Sequence, residues 1–197
     1  HDFYGFPPEL FEVQYPAKGS PGLAKETQEI LAPNFVEEDH NWGLDHGAWS
    51  VLKHLYPNAD IPVIQLSIDY GKPPQYHFDL AKKLQKLREK GILIIGSGNI
   101  IHNLRMVDFR NIDNIGYGFD WAIEAREKTN NMILDGDFQS LIDYQKQGTA
   151  LQYAVPTPDH YLPLIYSLGL KEKTENVSLF NDELIGGSLS MTSLRIG

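Results

Sequence analysis

Two short apolar runs constrain this chain more than any other feature: Ile61-Pro62-Val63-Ile64-Gln65-Leu66-Ser67-Ile68 and Ile92-Leu93-Ile94-Ile95. Both are rich in β-branched residues and nearly free of polar ones, which is the pattern of a strand buried on both faces. Between them, Leu80, Ala81, Leu84 and Leu87 recur at helical spacing, with Lys82, Lys83, Lys86 and Glu89 on the opposite face and Gly91 at the C-terminal stop. A buried strand, a helix and another buried strand form a crossover unit, and such units build parallel sheets. The expected fold class is therefore α/β, with a mostly parallel central sheet and helices on both faces.

The rest of the chain fills in around that unit. Residues 2–16 are rich in aromatics and proline and read as an ordered loop with a helical turn near Glu9 to Phe11. Ser20-Pro21 opens a helix that Pro33 stops, and Asp45 caps one whose Ala48, Val51, Leu52 and Leu55 share a face. Residues 34–38 read as a short strand. Helices are expected over Phe119 to Met132, Asp137 to Tyr144 and Asp159 to Leu168, the last entered through Thr157-Pro158. The tail, 188–196, alternates as a strand does. This is three good strands and one weak one, where a doubly wound sheet carries about five or six. The chain also begins His1-Asp2-Phe3, without Met. Together these suggest a single domain, 1–197, whose N-terminal strands are missing from the sequence in hand.

Charge and cysteine content narrow the function. Asp plus Glu number 26 against 17 Lys plus Arg, a formal charge of −9. Such a surface repels phosphate backbones and anionic lipid, so nucleic acid and membrane are set aside as partners. There is no Cys, which removes disulfides and thiol chemistry and fits the cytoplasm. No glycine-rich phosphate loop, dinucleotide fingerprint or serine nucleophile elbow is present.

What remains is histidine, and context sorts the seven. His102 follows the second apolar run and the turn Gly96-Ser97-Gly98-Asn99, at the carboxyl end of a strand, where α/β sheets bind ligands. It suits a metal ligand or a general acid/base; a core histidine bonded to a backbone carbonyl is the alternative. His160 lies in Thr157-Pro158-Asp159-His160-Tyr161-Leu162-Pro163, where proline gives the rigid placement a ligand needs. The alternative is a half-buried histidine at a helix start. His46, in Asp45-His46-Gly47 between Trp42 and Trp49, has room beside it for a flat ligand, or is a surface histidine. His40, His54 and His77 read as surface or packing residues, and His1 has no context to judge.

These segments, in this order, resemble the class III extradiol ring-cleavage dioxygenases of the LigB superfamily, and within it the 4,5-DOPA dioxygenase branch. The resemblance is carried by His1-Asp2-Phe3-Tyr4-Gly5-Phe6-Pro7, Tyr15 to Pro21, Asp45-His46-Gly47, Ser97 to Arg105, Thr157 to Pro163 and Gly187-Ser188-Leu189-Ser190-Met191. It implies that His102 and His160 belong to the metal centre, His102 also being a candidate acid/base, and that His46 lies in the substrate pocket as a second catalytic candidate. Two further histidine ligands of the family sit upstream in GHGSP and SAHW motifs, and neither motif occurs in this sequence.

The implied reaction is extradiol cleavage of a small aromatic diol by O₂. Fe(II) suits it, because a site with few protein ligands leaves open positions for catechol and O₂. A histidine-rich site also takes Zn²⁺, which has no redox chemistry. Two rival readings are a metal-free binding or scaffold member of the same superfamily and a zinc hydrolase that activates water. Oligomeric state has no signature in the sequence.

Overall fold

The computed structural model describes residues 3–197. The fold is mixed α/β, and the chain divides into two compact units, one ending at Ser67 and the other spanning Ile68–Gly197.

The first unit holds α1 (Pro8–Phe11), α2 (Pro21–Leu31) and α3 (His46–Leu55). Pro21 occupies the first turn of α2, where a missing N–H costs nothing. Leu31 is fully buried at its end. Asp45 caps α3 by accepting from the Ala48 N–H at 2.8 Å. The same residue is tied to Gln65, whose side chain accepts from the Asp45 N–H at 3.0 Å and donates to its carboxylate at 2.8 Å. The strand expected at 34–38 is absent, as that segment carries no ladder.

The second unit holds α4 (Pro74–Arg88), α5 (Asp120–Asp135), α6 (Phe138–Ile142), α7 (Thr149–Ala154) and α8 (Leu162–Gly169). Strands β1 (Val177–Phe180), β2 (Leu184–Ile185), β3 (Leu189–Ser190) and β4 (Ser193–Ile196) complete it. The expected stripe of α4 is the buried one: Leu80, Ala81, Leu84 and Leu87. It packs on α8, which buries Leu162, Leu164, Ile165 and Leu168. At this crossing a Cβ on Gly169 would lie 2.6 Å from the Phe78 carbonyl oxygen and 2.8 Å from Ala81 Cβ. Glycine is what lets the helices close to contact. Ile101, Ile133, Leu141, Leu151 and Tyr161 complete a core that is sealed from solvent.

The sheets differ from expectation. Among the described residues there are two antiparallel pairs, β1 with β4 (Val177 opposite Ile196) and β2 with β3 (Leu184 opposite Ser190). The runs 61–68 and 92–95 belong to no ladder. A strand buried on both faces needs a neighbour on each edge, and among the described residues neither run is paired with one. Consequently Leu93 is 65% and Ile95 42% exposed, while Ile92 and Ile94 are half-buried. The helix expected from Asp159 begins at Leu162. The Tyr161 and Leu162 N–H groups both donate to the Pro158 carbonyl at 2.9 Å, so residues 158–162 make a tight turn that precedes it. α7 and β1 were not expected from the sequence.

Candidate metal centre

The segment after the second apolar run is held against two others. The His102 N–H donates to the Ala154 carbonyl at 2.9 Å, and His102 bridges Leu189 in antiparallel sense. His160 lies in the turn before α8, and its carbonyl accepts from the Asn99 N–H at 2.9 Å. Backbone meets backbone here because Gly96 and Gly98 carry no side chain. A Cβ on Gly96 would lie 2.6 Å from the Pro163 carbonyl oxygen, and one on Gly98 would run into that of His160. These close approaches bring the imidazoles of His102 and His160 together. Their rings stack, with centroids 3.7 Å apart and planes 12° from parallel.

The electrostatics follow from the packing. Burial, reinforced by the His160 imidazole and opposed by the Asp159 carboxylate, pushes His102 down to about 4. It is therefore neutral at physiological pH, with a free ring lone pair. His160 Nδ1 lies 2.5 Å from Asp159 Oδ2. A carboxylate only accepts, so Nδ1 carries the proton and Nε2 is left as the basic nitrogen. Burial alone would raise the Asp159 carboxyl. The Thr157 hydroxyl and the His160 imidazole outweigh it and hold the acid below its ordinary value.

This donor chemistry suits a metal as two of its ligands. One imidazole is neutral by desolvation, and the other is oriented by a carboxylate, the usual outer partner of a ligating histidine. With the planes 12° from parallel and the centroids 3.7 Å apart, the in-plane lone pairs of the two rings lie in separate planes, so binding one ion through both involves tilting a ring. Among the described residues no cluster of three or more His, Cys, Asp or Glu is assembled to hold an ion. The set offered here is therefore partial.

His46 belongs to the first unit. It is exposed at the first position of α3, with its ring 5.5 Å from that of Phe3 and at 75° to it. The aromatic ring beside His46 is thus Phe3, which also lies 6.2 Å from Trp49, while Trp42 is 62% exposed. His77 is a packing histidine, fully buried, with Nδ1 3.1 Å from the Tyr166 hydroxyl. His40 is exposed beside Glu38. His1 lies outside the described residues. Sequence reasoning passed over Asp159, although an acid directly before a candidate ligand was the available signal.

Comparison with known proteins bears on the family. The family described as the catalytic LigB subunit of aromatic ring-opening dioxygenase matches residues 1–189. A 4,5-DOPA dioxygenase extradiol of Escherichia coli K12 is 44% identical over 202 aligned positions, covering 100% of this chain and 73% of that protein. The protein of the same name from Beta vulgaris is 33% identical, covering 99% and 72%. The crystal structure of an uncharacterized protein from Escherichia coli K12 superposes with a TM-score of 0.85 at 39% identity, covering 95% of this chain and 77% of that one. With a family match over residues 1–189 and a 44% identical relative covered over 73% of its length, this chain belongs to the LigB family of aromatic ring-opening dioxygenases.

Proposed function

We propose that the protein opens the ring of a DOPA-like catechol beside its hydroxyls, using O₂ at a non-haem Fe(II) centre to which His102 and His160 contribute ligands. The observation that carries this reading is the stacked His102–His160 pair with Asp159 on His160. The names of the relatives supply the substrate class. Bound Fe(II) would bring diol and O₂ together and pass electron density between them; Zn²⁺ in the same place would not.

The chain's own residues then have distinct tasks. Asp159 holds the proton of His160 Nδ1 and so presents Nε2. Desolvation keeps His102 neutral, as a ligand or as the group that takes a proton from the diol. His46, exposed at the start of α3, is the second acid/base candidate. We further propose one domain over 1–197, residence in the cytoplasm, and a parallel sheet in which 61–68 and 92–95 pair with strands of a longer chain. The absence of Cys supports the compartment, and the greater length of the relatives supports the sheet. No helix among the described residues is long and apolar enough to cross a membrane.

The test is anaerobic loading with Fe(II), followed by oxygen uptake with DOPA, for the wild type and for His102→Ala and His160→Ala. Loss of both iron and oxygen uptake in each variant is the expected result. Ester or amide hydrolysis without oxygen would instead point to a zinc hydrolase, and failure to bind any metal to a binding protein.

A further inference from the structure

His102 is held from both sides by a strap formed by residues 188–190. The Asn103 N–H donates to the Ser188 carbonyl at 3.2 Å, and the Ser188 hydroxyl donates to the Asn103 carbonyl at 2.9 Å. On the other side, the Ser190 N–H donates to the Ile101 carbonyl at 3.0 Å and the Ile101 N–H donates to the Ser190 hydroxyl at 3.2 Å. Ser188 is 0% and Ser190 1% exposed, so water does not replace these bonds cheaply. The His160 segment is tied to the same strap. Asn99 makes the link. Its main-chain N–H donates to the His160 carbonyl at 2.9 Å, and its side-chain Nδ2 donates to the Ser190 carbonyl at 2.8 Å.

We infer that Asn99 is a positioning residue that, through Ser190, sets His102 against His160. The role depends on a donor at the right reach. Aspartate has the same shape but would place oxygen against the Ser190 carbonyl oxygen, and alanine leaves that carbonyl unpaired. The inference rests on the proposed metal centre for its functional meaning, but the geometry it concerns is measurable without a metal.

The experiment is NMR on the metal-free full chain with labelled histidine, comparing wild type, Asn99→Asp, Asn99→Ala and Asn130→Ala. Asn130 donates from Nδ2 to Asp182 Oδ2 at 2.9 Å, remote in sequence from both histidines, and serves as a structural control. Ring-to-ring cross-peaks between His102 and His160 are expected in the wild type and in Asn130→Ala. They should be lost in both Asn99 variants, whatever the accompanying change in Tm. Cross-peaks of wild-type intensity in the Asn99 variants overturn the proposal. If those variants do not fold, amide exchange on the wild type decides. Protection of the Asn99 amide equal to that of Asn103 and Ser190 supports the role, and exchange at free-loop rates overturns it. Adding Co²⁺ to the wild type tests the metal reading separately: if neither imidazole signal shifts, that reading fails while the cross-peak result stands.

Discussion

A carboxylate one residue before a histidine decides which ring nitrogen that histidine can offer. Asp159 does this for His160, so Asp159→Asn should weaken metal binding about 10–100-fold, in the range of other carboxylate–histidine partners. A cobalt titration of variant against wild type measures it, with Tm little changed because the acid is 43% exposed. His77 makes a contrasting case. Burial lowers its pKa, against the raising influence of the Lys72 and Asp69 backbone and the Asp69 carboxylate. The folded state thus resists protonation more than the unfolded chain, whose histidine titrates near about 6.5. Stability from neutral His77 is present above that pH and is lost as pH falls below it toward the folded value. Urea midpoints between pH 7.5 and 5.5 should fall more steeply for the wild type than for His77→Gln. Equal slopes would show that His77 is not the group responsible.

At the level of elements, packing turned on glycines whose neighbours are distant in sequence. Gly169 is the clearest, since its Cβ would meet the Phe78 carbonyl oxygen and Ala81 across the α4–α8 crossing. Gly169→Ala should therefore cost about 1–3 kcal/mol, as overpacking does elsewhere, read as a lower urea midpoint at an unchanged m-value. The helices themselves were legible because each announces itself locally: Pro21 opening α2, Asp45 capping α3, and the stripe on α4. α7 was not, because a helix of 6 residues has too few turns to show a period. β1 was missed for a related reason. Its ladder partner β4 is contributed by residues beginning at Ser193, and pairing rather than local pattern makes it a strand.

For the molecule as a whole, length is the decisive variable. The chain spans 73% of one relative and 72% of another. Extending it to their length should raise iron bound per chain and oxygen uptake with DOPA by at least about 100-fold, since affinity grows steeply with the number of ligands held at once. Equal iron and equal uptake by the two forms would show that two imidazoles suffice. Gel filtration of the present chain should also show concentration-dependent association through Leu93 and Ile95, suppressed by Leu93→Lys. The amino-acid sequence alone determined the positions of α2, α3, α4 and α5, the acidic surface and the motifs around His102 and His160, because propensity, charge and short motifs are local properties. Tertiary structure decided the rest. How Asn99 and Ser190 brace His102, how His102 stacks on His160, and which segments join a ladder all depend on neighbours distant in sequence. A hydrogen bond or a strand pairing exists only when both partners do.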